Sequence, residues 1–210
     1  MIISVIIPAY NEEKVIARTL KSIPSNIETI VVCNGCTDNT AKIAKKFKAK
    51  VYEISDADVS HARNVGAKNA SGIMLIFLDA DVSLEKDTLK KISKSGYEIG
   101  TTYVKPNNDN FLAKLFLWIK SRIHKLGNST GIIFCKDYVF KDIGGFDENV
   151  KWREDGIFLR KARKKFKFGV VKAYVINDMR RYEKEGYIKF LFFWLRNIIF
   201  PTKKPYPLVR

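Results

Sequence analysis

The sequence predicts an α/β fold, a parallel sheet with helices on both faces, followed by a C-terminal amphipathic helical extension. Three observations predict it. The first half alternates short β-branched runs with segments of helical period. Its first strand candidate is continuously apolar, as a strand covered on both faces must be. With 46% hydrophobic residues in 210, the chain has enough apolar surface for the core of one large domain. It shows no internal repeat and no second domain of independent size.

The elements follow in order. Ile2–Ile7 reads as a buried strand that stops at Pro8. Asn11 is placed to cap a helix running to about Ser22, with Glu12 and Glu13 favourable in its first turn. Ile27–Cys33 is a second strand and Thr37–Phe47 a helix. Lys50–Ile54 is a third strand, and His61–Ala70 a helix closed by Gly72. Ile73–Leu78 is a fourth strand. The second half is less regular. Asn110–Leu126 reads as an amphipathic helix and Ile132–Cys135 as a short strand before a Gly144-Gly145 turn. Trp152–Phe166 reads as a charged helix and Phe168–Ile176 as a strand. Tyr187–Phe200 is apolar and aromatic but carries Lys189, Arg196 and Asn197. At that length it is too short to span a bilayer, which takes about 20 apolar residues.

The formal net charge of +16 is unevenly placed. Residues 1–110 carry 15 Lys and Arg against 13 Asp and Glu, whereas residues 111–210 carry 23 against 9. Such a basic half attracts polyanions, whether nucleic acid, anionic lipid or phosphorylated substrate. Three cysteines (Cys33, Cys36, Cys135) make no disulfide framework and point to a reducing compartment. The N-terminus lacks the charged and long apolar regions of a signal peptide, so the expected location is cytoplasmic.

In open α/β sheets, ligands bind beyond the C-terminal ends of the strands. Three polar clusters fall there: Pro8-Ala9-Tyr10-Asn11-Glu12, Cys33-Asn34-Gly35-Cys36-Thr37-Asp38 and Asp79-Ala80-Asp81. In extended chain, Asp79 and Asp81 share a face. Adjacent carboxylates repel unless a cation lies between them, and hard oxygen ligands suit Mg2+ or Mn2+ bridging a diphosphate. The competing reading is an acidic turn ahead of a helix. Glu154-Asp155 is a second acidic pair, able to supply a general base or merely to start a helix. Arg180-Arg181, after the last strand, are suited to clamp phosphates, or form a basic surface loop. Cys33-x-x-Cys36 invites a redox or zinc reading, but only Cys135 and two isolated histidines remain as further ligands.

Four ordered blocks carry a resemblance: SVIIPAYNEEKVIARTLKSI, VVCNGCTDNTAKIA, SHARNVGAKNASGIMLIFLDADV and GGFDENVKWREDGIFLRKARK. Together they resemble family 2 glycosyltransferases of the GT-A fold across nearly the whole chain. The resemblance implies a Rossmann-like, mixed but mainly parallel sheet and an inverting transfer from a UDP- or GDP-sugar. It implies a catalytic domain over residues 1–184, its donor half at 1–105 and its acceptor half at 106–184, with 185–210 as the extension. Pro8, Ala9, Tyr10 and Glu12 match the block that cradles base and ribose. Asp38 matches the acid of the second block, and Arg63 the arginine near the donor. Asp79 and Asp81 match the D-x-D that meets metal and diphosphate. Asp155 matches the catalytic base, with Glu154 beside it. Where the family often reads D-D-G-S, this chain has Cys33-Asn34-Gly35-Cys36. Asn34 is then a neutral acceptor for a base, and the choice between uridine and guanosine stays open. The Q-x-x-R-W motif of processive synthases is absent, so repeated addition to one polymer is not expected.

Phe111, Leu112, Leu115, Phe116, Trp118 and Ile119 share a helix with Lys114, Lys120, Arg122 and Lys125. Aromatics mixed with lysine and arginine mark an interfacial helix, and the competing reading is core packing, with about half of these apolar residues buried. With the basic second half they predict peripheral attachment to an anionic membrane, at the inner face of the cell membrane. The expected acceptor is a glycan or a polyprenyl-phosphate lipid. A sugar-phosphate nucleotidyltransferase is an alternative, but PAYNEE stands where its Gly-rich loop belongs. A nucleic-acid-binding protein would explain the charge but neither acidic pair, and no nucleic acid is expected as partner.

Overall fold

The computed structural model describes residues 2–122, 131–150, 153–187 and 189. Eight strands form one sheet in the order β3-β2-β1-β4-β7-β6-β8-β5. They are β1 (Ile3–Ala9), β2 (Glu28–Asn34), β3 (Lys50–Ile54), β4 (Met74–Leu78), β5 (Val82–Leu84), β6 (Ile99–Pro106), β7 (Ile132–Lys136) and β8 (Phe168–Asn177). β1, β2, β3 and β4 pair in parallel, as do β6 and β8. β7 runs antiparallel to both β4 and β6, and β5 antiparallel to β8. The sheet is thus mixed and mainly parallel. β4, β6 and β8 end at the same edge as β1 and β2.

The helices are α1 (Ile16–Lys21), α2 (Thr40–Lys46), α3 (Val59–Lys68), α4 (Thr88–Lys94), α5 (Phe111–Arg122), α6 (Asp137–Ile143), α7 (Glu154–Ala162) and α8 (Arg180–Glu185). Strand alternation sorts them into two layers. Val5, Ile7 and Ala9 of β1 face a core shared with Ile16 and Leu20 of α1, Ala44 of α2, Leu89 and Ile92 of α4, Phe116 of α5 and Tyr182 of α8. Ile6, Leu75 and Phe77 face the other way, towards Ala67 of α3, Val139 of α6, and Phe158 and Leu159 of α7. Every residue of β1 and β4 is buried, as the apolar run of β4 and that of β1, broken only by Ser4, require.

Several boundaries differ from the sequence reading. Asn11 caps no helix: its backbone is left-handed (φ 53°), its side chain accepts from the Thr37 N–H at 2.8 Å, and α1 begins only at Ile16. The chain passes through a loop at Asn11 and one turn, in which the Val15 and Ile16 N–H groups donate to the Glu12 carbonyl, before α1 begins. α2 starts at Thr40, three residues later than the periodicity suggests. α3 is capped by Asp58, which accepts from the His61 N–H at 3.0 Å, and ends at Asn69. Gly72 lies instead against β1, where a Cβ would come within 2.6 Å of the Ser4 nitrogen. β5, β6, α4, α6 and α8 were not foreseen as elements. The charged helix starts at Glu154, and Trp152 lies outside the described residues. The end of the 110–126 helix beyond residue 122 and most of the 187–200 segment also fall outside them.

Candidate active site

All the sequence-predicted site residues sit at or beside the edge where β1, β2, β4 and β8 end. Pro8 and Ala9 are buried at the end of β1, with Ala9 in register with Cys33 of β2. The chain then turns through Tyr10 and Asn11. Side chains of the second block hold this loop. Asp38 Oδ2 accepts from the Glu13 N–H at 3.0 Å, and Thr40 Oγ1 accepts from the Glu12 N–H at 2.8 Å. Asp38 Oδ1 takes the Thr40 N–H at 2.9 Å. Burial pushes the Asp38 carboxyl up, but these bonds from Thr40 and Glu13 outweigh it and hold it low. Asp38 therefore ties the first block to the second through the backbone. Asn34 is 5% exposed, and its Oδ1 has no hydrogen-bond partner. A buried acceptor left open at this edge is an unfilled bond for a ligand donor.

The D-x-D segment is not extended. The Val82 N–H donates to the Asp79 carbonyl at 3.1 Å, closing a turn that links β4 to β5. This corrects the expectation that the two acids share a face as in a strand. Asp79 turns to Arg63, 3.0 Å away, and Asp81 to Arg181, 3.9 Å away. The turn is held from α1 by two residues that the sequence did not single out. Thr19 Oγ1 donates to the Ala80 carbonyl at 2.7 Å and Arg18 Nη2 to the Asp81 carbonyl at 3.2 Å. Arg18 also pairs with Asp178 at 2.9 Å, while the Asp178 N–H donates to the Asp81 carbonyl at 3.1 Å. The only signal for them in the sequence is their place inside the first block, on its helix.

Arg63 is the hub. Its side chain is 6% exposed, with Nη2 on Asp79 Oδ1 at 3.0 Å and Nη1 on Glu154 Oε1 at 2.6 Å. Burial pulls its pKa down, but Glu154, Asp79 and Asp155 outweigh it and push the value up. Burial pushes the Glu154 carboxyl up, and Arg63 opposes it. Next door, Asn64 brackets Phe146, donating to its carbonyl at 2.8 Å and accepting from its N–H at 2.9 Å. Gly145 is required here: its φ is +74°, and a Cβ would meet Asn64 Oδ1 at 2.8 Å. The adjacent Arg63 and Asn64 thus pin Glu154 and Phe146 to α3. Asp155 follows Glu154 in the first turn of α7, half-buried, with Oδ1 accepting from the Gly156 N–H at 2.7 Å.

Arg180 and Arg181 begin α8, so they are not on the basic loop that the sequence left open as an alternative. Arg180 donates to the Glu12 carboxylate, and Arg181 lies 3.9 Å from both Glu12 and Asp81. Glu12 is thus set among the arginines and Asp81. Burial raises its carboxyl, repulsion from Asp81 raises it further, and Arg180 and Arg181 act against both.

The donor chemistry of this edge fits a hard divalent cation. Burial raises the Asp81 carboxyl, and repulsion from Asp79 and Asp178 adds to it against the pull of Arg181 and Arg180. A cation beside Asp79 and Asp81 would relieve both effects. Among the described residues no cluster of three or more His, Cys, Asp or Glu side chains converges on one point. Two carboxylates alone leave most of a coordination sphere to phosphate oxygens and water, as Mg2+ and Mn2+ sites on nucleotides do.

The glycosyl transferase family 2 model matches residues 4–173. A 4,4'-diaponeurosporenoate glycosyltransferase of Staphylococcus haemolyticus is 40% identical over 95 residues, covering 40% of this chain and 25% of that protein. The structure of S. aureus TarS 1–349 in complex with UDP-GlcNAc superposes with a TM-score of 0.71 at 27% identity, covering 86% of this chain and 59% of that one. A mannosyltransferase from Pyrobaculum calidifontis, in complex with GDP-Man and Mn2+, shares the fold at 18% identity, with a TM-score of 0.74 and coverage of 94% and 61%. The chain thus spans less than two thirds of each of these relatives. The mixed, mainly parallel GT-A fold expected from the sequence is borne out.

Proposed function

The chain belongs to glycosyl transferase family 2, and from that membership we propose that it transfers a sugar from a UDP- or GDP-sugar to an acceptor hydroxyl or phosphate by a single inverting displacement. The observation that carries this reading is the Arg63 bridge. It joins Asp79, at the turn after β4, to Glu154, which immediately precedes Asp155. A diphosphate-binding acid and a general base then belong to one rigid assembly.

In this reading Pro8, Ala9, Tyr10 and Asn34 cradle the nucleoside, and Asn34 Oδ1 accepts a base N–H. Asp38 and Glu12 shape the loop around it. Asp79 and Asp81 would hold Mg2+ or Mn2+. When bound, the ion supplies charge neutralisation to the departing nucleoside diphosphate. Arg180 and Arg181 bind phosphate oxygens, which replace Glu12 as their partners. Asp155 takes the proton of the acceptor as its oxygen attacks the anomeric carbon from the side opposite the leaving group. Glu154 orients Asp155 through Arg63 and does not itself exchange protons with substrate.

The acceptor half spans residues 106–184, and an interfacial role for α5 extends the reading. Ala113, Phe116 and Leu117 pack into the core. Phe111 (73% exposed), Leu112, Leu115 and Trp118 point outwards beside Lys114. No helix among the described residues is long and apolar enough to cross a membrane. An apolar ridge flanked by lysine fits the surface of an anionic bilayer, as a peripheral cytoplasmic enzyme meeting a lipid-linked glycan or polyprenyl phosphate would need. The S. haemolyticus relative is named for 4,4'-diaponeurosporenoate.

The test is a panel of UDP- and GDP-sugars, with and without Mn2+, read by melting temperature. A ligand that binds only the native state raises it by mass action. A metal-dependent rise for one nucleotide class supports the reading; no rise for any of them removes it. Flotation with phosphatidylglycerol vesicles tests the membrane part: salt-sensitive binding weakened by Trp118→Ala supports it, and no flotation overturns it.

A further inference from the structure

The Cys33-x-x-Cys36 pair has no task in sugar transfer, and the geometry gives it one. Cys33 is the penultimate residue of β2, buried and in register with Ala9 of β1. Gly35, at φ +75°, turns the chain so that Cys36 comes back over the strand end. There the two cysteines meet at one strand end: Cys33 lies in register with Ala9, and the Cys36 Sγ sits on the Ala9 carbonyl. Cys36 is also fastened to the first block. Its Sγ donates to the Ala9 carbonyl at 3.2 Å and accepts the Asn11 N–H at 3.4 Å. One thiol therefore holds both sides of Tyr10 in the loop read above as the nucleoside cradle.

We propose that Cys33 and Cys36 form a reversible disulfide that loosens this cradle, making donor binding responsive to thiol redox state. The co-reactant is a low-molecular-weight disulfide. The Cys36 thiolate attacks one of its sulfurs and expels a small thiolate, giving a mixed disulfide. Cys33 then gives up its proton, attacks the Cys36 sulfur and expels the second small thiolate. Two electrons pass from the cysteine pair to the reagent, which leaves as two thiols. Cys36 is suited to attack first. The Cys33 hydrogen bond and the Asn11 N–H outweigh burial and bring its thiol down to about 7. Cys135 is buried and pushed the other way, so it does not compete.

Oxidation has a defined cost to the loop. The Cys36 S–H is consumed, so the Ala9 carbonyl loses its donor, and the sulfur is drawn towards Cys33. Losing one such bond corresponds to nucleotide binding weaker by about tenfold. The coupling rests on the donor-binding reading; formation of the disulfide does not.

The test equilibrates the whole chain in reduced and oxidised glutathione, followed by alkylation and intact mass, and titrates UDP and GDP with Mn2+ into each form. The expected result is a species lighter by two hydrogens with Cys33 and Cys36 protected from alkylation. Its nucleotide binding is about tenfold weaker and is restored by dithiothreitol. Cys33→Ala keeps the Cys36 hook and cannot close the bond, so its affinity is unresponsive to oxidant. Cys36→Ser, with a hydroxyl in place of the hook, behaves likewise and covers the case that the alanine variant misfolds. Alkylation of both thiols under oxidising glutathione overturns the site. A disulfide that leaves nucleotide affinity unchanged overturns the switch. If neither nucleotide binds the reduced protein, the donor reading and the coupling fall together, while mass alone still judges the disulfide.

Discussion

Arg63 Nη1 lies 2.6 Å from Glu154 Oε1, across 91 residues of sequence. The contact joins α3 to the start of α7, and the other arm of the same guanidinium reaches Asp79. Removing Arg63 leaves the largely buried Glu154 carboxylate without its cation, beside Asp79, whose side chain is 41% exposed. Arg63→Ala should destabilise the fold by about 3–5 kcal/mol, in the range for an orphaned buried ion pair. Arg63→Lys should recover part of that stability but not transfer, because an ammonium cannot fork between the two acids. Denaturant unfolding together with a transfer assay checks both halves.

Arg180 donates to the Glu12 carboxylate, and the proposed function gives it a donor phosphate to bind. Arg180→Ala should weaken binding of UDP or GDP by about tenfold or more, the worth of a charge-assisted hydrogen bond. Binding of the bare nucleosides should not change, since the lost contact is to phosphate. Calorimetric titration of nucleoside against nucleotide separates the two.

Asp155 is assigned the proton transfer and Glu154 the positioning. Asp155→Asn should keep donor binding and lose transfer by about 100-fold or more, the contribution of a positioned base. Retained turnover would remove Asp155 from that role.

Glu28 predicts an acid limit to stability. Burial pushes its carboxyl up, but hydrogen bonds from Lys50, Ser4 and Ser71 outweigh it and lower the pKa from the ordinary 4.5 to about 2. A lowered folded value means that the stabilisation is complete above pH 4.5 and is lost as pH falls towards 2. Glu28→Gln should cost about 1–2 kcal/mol at neutral pH and flatten the melting temperature between those limits. Melting curves of both proteins from neutral pH downwards provide the check.

Much of this was legible in the sequence, for physical reasons that differ by residue. β1 and β4 are covered on both faces, and their apolar runs, interrupted only by Ser4, show it locally. Asp79 and Asp81 were legible as chemistry but not as geometry. The turn that separates them is imposed from outside, by Thr19, Arg18 and Asp178. Asn11 looked like a helix cap because the local signal is real; the second block outbid it, taking its side chain for the Thr37 N–H. β6 is rich in strand formers (Ile99, Thr101, Thr102, Tyr103 and Val104), so the sequence held a signal for it, obscured by Gly100 and Pro106 within the run. Its place between β7 and β8 is set by long-range pairing, which leaves no mark on the strand's own residues. The Arg63–Glu154 contact was hidden for the same reason, although both partners sat in recognisable blocks.

The central claim is that Asp79 and Asp81 hold a divalent cation against the donor's diphosphate. The most direct measurement is calorimetric titration of UDP and GDP, with Mn2+ and with EDTA, into the native chain and Asp81→Ala. Tight binding of one nucleotide that requires Mn2+ and vanishes in Asp81→Ala is the predicted result. Equal affinity in EDTA, or a metal-dependent affinity that survives the substitution, would contradict it.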